Sequence, residues 1–99
     1  MNIINDTLFL EDISVETLMQ EYGSPLYVYE ESVLRSQFRQ LSSGFPEGLL
    51  EIHYSMKANS NPSLLKILLE EGSSIDAVSE FEVRLALESG FEPQQIIFT

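Results

Sequence analysis

The chain contains no cysteine and a single histidine, His53. Without thiols there is no disulfide framework, no thiolate metal site and no redox chemistry at sulfur, and one imidazole leaves any metal site resting on carboxylates alone. Positive charge is also scarce. Five basic residues (Arg35, Arg39, Lys57, Lys66 and Arg84) stand against sixteen acidic ones, a formal net charge of −11 that repels a phosphate backbone and argues against a nucleic-acid partner. No apolar run approaches the roughly 20 residues needed to span a bilayer, so no membrane partner is expected. The opening segment carries Asp6, Glu11 and Asp12 and no base before Arg35, which is not the charge pattern of a secretory signal. Neither Ser42-Ser43-Gly44 nor Gly72-Ser73-Ser74 has the glycine spacing of a phosphate-cradling loop, and both read as helix stops. The 43% hydrophobic content is nevertheless enough for a globular core, so a cytoplasmic chain is the expectation.

What is present alternates. Asp12 or Ser14 can cap a short helix with Val15, Leu18, Met19 and Tyr22 at helical spacing and Gly23 as its stop. Leu26-Tyr27-Val28-Tyr29 is aromatic and β-branched and predicts a strand, followed by a helix over 30–41 that buries Val33, Leu34, Phe38 and Leu41. A strand is predicted over 50–56 and a leucine-rich helix over 62–71, closed by Gly72. A second strand over 74–78 follows, and Ser79-Glu80-Phe81-Glu82 fits a capping box opening a helix that runs to about Gly90. Pro93 breaks it, and Ile96-Ile97-Phe98 begins another strand.

From residue 50 the order is therefore strand, helix, strand, helix, strand with short turns, the pattern of right-handed parallel crossover units. The expected fold class is α/β: a partial (β/α)8 TIM barrel of about three βα units, preceded by an N-terminal strand and helix. Residues 1–29 are read as an N-terminal segment contributing to a β domain, and 30–99 as the start of the barrel. A complete barrel takes roughly 250 residues, so the sequence reads as the first part of a longer one.

The most informative run is His53-Tyr54-Ser55-Met56-Lys57-Ala58-Asn59-Ser60-Asn61-Pro62. Reading back from Lys57, Ser55, His53 and Glu51 share its face at period two, while Met56, Tyr54, Ile52 and Leu50 form the apolar face. Asn61 caps the next helix with Pro62 at its first position. One amine is thus placed at the C-terminal end of a strand beside a helix start, where α/β folds collect their chemistry. Burial lowers a lysine's pKa until the neutral amine can hold an aldehyde as a Schiff base; the alternative is an ammonium simply capping the strand in solvent. Asp76 lies opposite Ile75 and Ala77, on the face that could bring a carboxylate within ion-pair reach of Lys57 from one strand over, or could face water. Lys66 reads as a surface residue, His53 as a hydrogen-bonded interior histidine, and Ser79 and Glu82 as caps.

The ordered set Tyr54-Ser55-Met56-Lys57-Ala58-Asn59-Ser60-Asn61-Pro62, Asp76-Ala77-Val78-Ser79 with Glu82, then Gly90-Phe91, Pro93 and Ile96-Ile97-Phe98-Thr99 resembles the start of the diaminopimelate decarboxylases. More broadly it is similar to the alanine-racemase-like, fold-type III pyridoxal-phosphate enzymes, which include ornithine, arginine and carboxynorspermidine decarboxylases. Gly23-Ser24-Pro25-Leu26-Tyr27-Val28-Tyr29 also fits their N-terminal segment. The resemblance implies that Lys57 binds pyridoxal 5'-phosphate through an imine and that Asp76 is the acid near it. It implies a cytoplasmic lyase of amino-acid biosynthesis, acting on a small amino-acid substrate such as meso-diaminopimelate to give L-lysine, and a homodimer when full length. Another fold-type III decarboxylase, acting on ornithine, arginine or carboxynorspermidine, or a non-catalytic pyridoxal-phosphate-binding relative is the alternative. Many relatives carry two glycines where Glu80 and Phe81 stand here, and Met56 replaces a commoner valine. The family's phosphate loop, ring-stacking histidine and second-subunit cysteine come later in the chain, so these residues alone are expected to be inactive.

Overall fold

Ile4 and Thr7 face each other across a two-residue turn in which Asn5 (φ 51°) and Asp6 (φ 61°) are both left-handed, the geometry whose twist matches a tight hairpin. This computed structural model describes residues 1–99, which divide into two compact units, Met1–Leu34 and Arg35–Thr99. In the first, β1 (Asn2–Ile4), β2 (Thr7–Leu10) and β3 (Ile13–Ser14) form an antiparallel meander, followed by α1 (Val15–Tyr22). Ser14 rather than Asp12 caps α1, its hydroxyl accepting from the Thr17 N–H at 3.1 Å. Glu11, also left-handed at φ 54°, turns its carboxylate onto the start of α2 (Glu31–Ser43), accepting from the Ser32 N–H at 3.1 Å and the Ser32 hydroxyl at 2.7 Å.

Two expectations for this region are corrected. Three strands that the sequence did not predict precede α1, and Leu26-Tyr27-Val28-Tyr29 is not a strand, because no neighbouring strand pairs with it and Tyr27 is 94% exposed. Its β propensity describes side chains that fit a pleated, half-buried surface, and that surface is absent here. In α2, Leu34 and Phe38 are half-buried as expected, but Val33 and Leu41 are exposed.

The second unit is built on β4 (His53–Ser55), β5 (Ser74–Ala77) and β6 (Ile96–Phe98), parallel and in sequence order, with α3 (Pro62–Glu70) and α4 (Glu80–Glu88) as the crossovers. The β4 strand is shorter than the expected 50–56, although Ser74 N–H to Ile52 O and Met56 N–H to Asp76 O extend the pairing at each end. One face of the sheet is apolar: Tyr54, Met56, Ile75, Ala77 and Ile96 pack with Leu65 and Leu69 of α3, Val83, Leu85 and Ala86 of α4, and Phe91. These are the residues that alternation assigns to one side of a pleat.

Both crossover helices begin and end alike. Asn61 Oδ1 accepts from the Ser63 N–H at 2.9 Å, and Ser79 Oγ from the Glu82 N–H at 3.1 Å. At the far ends, Gly72 N–H bonds Leu69 O while Ser73 N–H bonds Leu68 O, and Gly90 N–H bonds Leu87 O while Phe91 N–H bonds Ala86 O. These paired bonds are Schellman closures, which satisfy the last helical carbonyls with glycine at positive φ, 93° at Gly72 and 108° at Gly90. Arg35 and Arg39 of α2 bind the C-terminal end of α3, with Glu71 accepting from both and Glu70 from Arg35.

Candidate active site

The opposite face of the parallel sheet is polar. Ser55, Asp76 and Ile97 are partners in register across β4, β5 and β6, and His53 pairs with Ser74 one step nearer the N-terminal ends. Glu51 and Thr99 bond to Ser74 and Asp76 of this same face. Carboxylates and a hydroxyl row therefore share a surface that the crossover helices do not cover, with the Lys57 turn at the C-terminal end of β4.

Lys57 lies at the C-terminal end of β4, in the turn closed by Ala58 N–H to Ser55 O at 3.1 Å. Tyr54 anchors that turn from the other side, donating its hydroxyl to Asn59 O at 2.8 Å, and Asn59 Oδ1 accepts from the Asn61 N–H. The amine is exposed and takes part in no ion pair, so the shelter and the contact with Asp76 expected from the sequence are not present. The physical reason is position. Lys57 has left the ladder at Met56, and nothing packs over the polar face to exclude water from its side chain.

Asp76 sits on β5 as expected, half-buried, one strand spacing of about 4.8 Å from β4. Its Oδ1 accepts from Thr99 Oγ1 at 2.5 Å, a partner the sequence reading did not identify. The signal was available: Thr99 is two residues beyond Ile97, hence on the same face, in a strand parallel to β5. His53 is half-buried and hydrogen-bonded, its Nε2 3.1 Å from Glu51 Oε1 and its Nδ1 3.4 Å from Ile75 O. Glu51 Oε1 also accepts from Ser74 Oγ at 3.1 Å, which ties the N-terminal end of the polar face together. Ser79 and Glu82 cap α4, Glu82 Oε1 reaching the Val78 N–H at 3.2 Å instead of the Ser79 N–H of the usual box. Lys66 is exposed on α3. No group of three or more carboxylates or imidazoles could hold a metal ion, and no helix is long and apolar enough to cross a membrane.

This arrangement presents one exposed, unpaired primary amine at the end of β4 and, on β5, a carboxylate that accepts from a hydroxyl. Such an amine can add to an aldehyde.

The comparisons with known proteins point to the same chemistry. A diaminopimelate decarboxylase of Aquifex aeolicus is 41% identical over 91 residues, covering 92% of this chain and 21% of its own length. One from Methanothermobacter thermautotrophicus is 44% identical over 84 residues, covering 83% of this chain and 20% of its own. Among solved structures, diaminopimelate decarboxylase from Helicobacter pylori complexed with L-lysine superposes with a TM-score of 0.76 at 35% identity, covering 84% of this chain and 21% of that one. A lysine/ornithine decarboxylase from Vibrio vulnificus complexed with putrescine gives 0.78 at 30%, covering 85% and 23%. The chain spans about a fifth of the length of the curated relatives it matches. The family described as pyridoxal-dependent decarboxylase, pyridoxal binding domain, matches residues 31–99, and the chain belongs to that family.

Proposed function

We propose that this chain is the N-terminal part of a pyridoxal-phosphate-dependent carboxy-lyase that converts meso-diaminopimelate to L-lysine. The observation that carries the reading is Lys57, an exposed and unpaired amine at the C-terminal end of β4, inside the region that matches the pyridoxal-binding family. The fit to the cofactor is chemical. An aldehyde needs a primary amine that is accessible and not already engaged, and of the chain's two lysines only Lys57 stands at the C-terminal end of a strand of the parallel sheet.

Pyridoxal phosphate, when bound, supplies an electron sink for the electrons released as the substrate's α-carboxylate leaves. Lys57 would hold the cofactor through its aldehyde between turnovers. Asp76, which accepts from the Thr99 hydroxyl, would supply the acid on the neighbouring strand. Met56, buried beneath Lys57, fixes the backbone from which the amine reaches. Ser55, in register with Asp76, keeps the floor between them small and polar.

Diaminopimelate is preferred over ornithine or arginine because the relatives of 34–44% identity bear that name. A cytoplasmic homodimer of the complete polypeptide is part of the same proposal. The test is to express the complete polypeptide with wild-type Lys57 and with Lys57→Ala, reduce each with borohydride in the presence of pyridoxal phosphate, and map the modified peptide. Wild type should carry the label on Lys57 and release carbon dioxide from meso-diaminopimelate, and the variant should do neither. A label that stays on another lysine would end the assignment.

A further inference from the structure

We infer that Tyr54 is a positioning residue for Lys57, its hydroxyl clasping the turn from which the amine projects; the inference rests on the reading of Lys57 as the pyridoxal-bearing lysine. The Lys57 side chain is exposed and takes part in no ion pair, so the backbone that carries it sets where the amine can reach. That backbone is held on both sides. Upstream, the Met56 N–H donates to Asp76 O at 3.2 Å. Downstream, the Tyr54 hydroxyl donates to Asn59 O at 2.8 Å, and the Ala58 N–H closes the turn onto Ser55 O at 3.1 Å. Lys57 and Ala58 alone lie between the two fixed points.

The clasp continues into the next helix. Asn59 Oδ1 accepts from the Asn61 N–H at 3.0 Å, Asn61 Oδ1 from the Ser63 N–H at 2.9 Å, and Asn61 O from the Leu64 and Leu65 N–H groups at 3.0 Å each. Tyr54, in register with Ile75 on the sheet, is thereby joined to the start of α3 across the turn that carries Lys57. Core packing does not account for the hydroxyl. The ring lies half-buried against the apolar cluster, and a phenylalanine fills the same space; the oxygen adds the reach to the turn. An amine carried on a fixed turn loses less conformational freedom on adding to an aldehyde than one carried on a loose turn, so the clasp favours capture of the aldehyde by Lys57.

The experiment uses the complete polypeptide as wild type, Tyr54→Phe, Asn59→Ala and Ser79→Ala, the last removing the cap of α4 without touching the turn. Hydrogen exchange of the Ala58 and Asn61 amides is followed without cofactor, and borohydride labelling of Lys57 is titrated with pyridoxal phosphate, with exposed Lys66 as internal reference. Tyr54→Phe should speed exchange at Ala58 and Asn61 by roughly two- to tenfold, the factor one hydrogen bond is worth, while the Ser74 amide in the sheet keeps its wild-type rate. It should raise the half-labelling concentration at Lys57 by a like factor and leave Lys66 where it was. Asn59→Ala, which removes the acceptor of the Asn61 N–H, should weaken Lys57 labelling in the same direction, and it decides in place of Tyr54→Phe if that variant does not fold. Unchanged turn exchange, an unchanged half-labelling concentration, or changes no larger than those in Ser79→Ala overturn the inference. Wild-type label on a lysine other than Lys57 sinks the reading of Lys57, whereas label on Lys57 that Tyr54→Phe does not weaken sinks only the role of Tyr54.

Discussion

Gly90 approaches Leu69 so closely that a Cβ on the glycine would lie 3.0 Å from Leu69 Cδ2. Gly72 closes α3 with the same hydrogen bonds that Gly90 uses for α4, yet has open space where its Cβ would be. Both residues have positive φ, so alanine at either position carries a backbone penalty of roughly 1–2 kcal/mol. Only at Gly90 must a core side chain also yield. Gly90→Ala should therefore be the more destabilising of the two, by up to about 1–3 kcal/mol beyond Gly72→Ala. Paired urea titrations of the two variants check the order.

The helix boundaries of the second unit were legible because their signals are local. Asn61 and Pro62 start α3, Ser79 starts α4, and Gly72 and Gly90 stop them, each through a bond to a residue within five positions. The β1–β2 hairpin was not legible. Its turn uses Asn5 and Asp6 without a glycine, and either residue type is as common in ordinary loops. Leu26-Tyr27-Val28-Tyr29 misled in the other direction, because strand propensity says nothing about whether a partner strand exists. The polar face followed from alternation alone, which put His53 and Ser55 on one side. The Thr99 bond to Asp76 needed the register of β6 against β5, a long-range quantity that no local pattern encodes.

Ser79 tests capping against catalysis. It lies next to the motif that carries Asp76, but its hydroxyl accepts from the Glu82 N–H at 3.1 Å and so satisfies the open end of α4. Ser79→Ala should lower stability by about 1 kcal/mol and leave borohydride labelling of Lys57 by pyridoxal phosphate unchanged. Denaturation and labelling of the same sample give both answers. A normal stability with altered Lys57 reactivity would contradict the capping role.

Glu71 gives the second unit an acid-sensitive joint. Its side chain is only 6% exposed and accepts from Arg39 and Arg35, and the Arg39 hydrogen bond, more than burial opposes, holds its carboxyl below the ordinary range. A carboxylate with a folded pKa below its unfolded value contributes stability that is fully present above the unfolded value near 4.5 and is lost as pH falls through the folded one. Thermal midpoints of wild type should therefore fall from about pH 5 downward. Glu71→Gln should start lower at neutral pH and show a shallower acid decline, because it has no proton to take up at this position. Parallel curves for the two proteins would place the acid sensitivity elsewhere.

Met56 joins stability to chemistry. It is fully buried in the core formed with Leu65, Ile75 and Ala86, and it precedes Lys57 directly. Its N–H donates to Asp76 O at 3.2 Å, so it is also the last point at which β4 is stitched to the strand that carries the carboxylate. Met56→Leu keeps volume and should cost less than about 1.5 kcal/mol, whereas Met56→Ala leaves a cavity and should cost about 2–5 kcal/mol. The chemical effect should follow the packing effect. With its root unsupported, Lys57 is held less firmly at the end of β4, so the alanine variant of the complete polypeptide should take less borohydride label from pyridoxal phosphate on Lys57 even under conditions where it is fully folded. The leucine variant should keep the wild-type label. If Met56→Ala destabilises the fold but leaves the labelling of Lys57 where wild type has it, the core beneath Lys57 supports the sheet without setting the position of the amine.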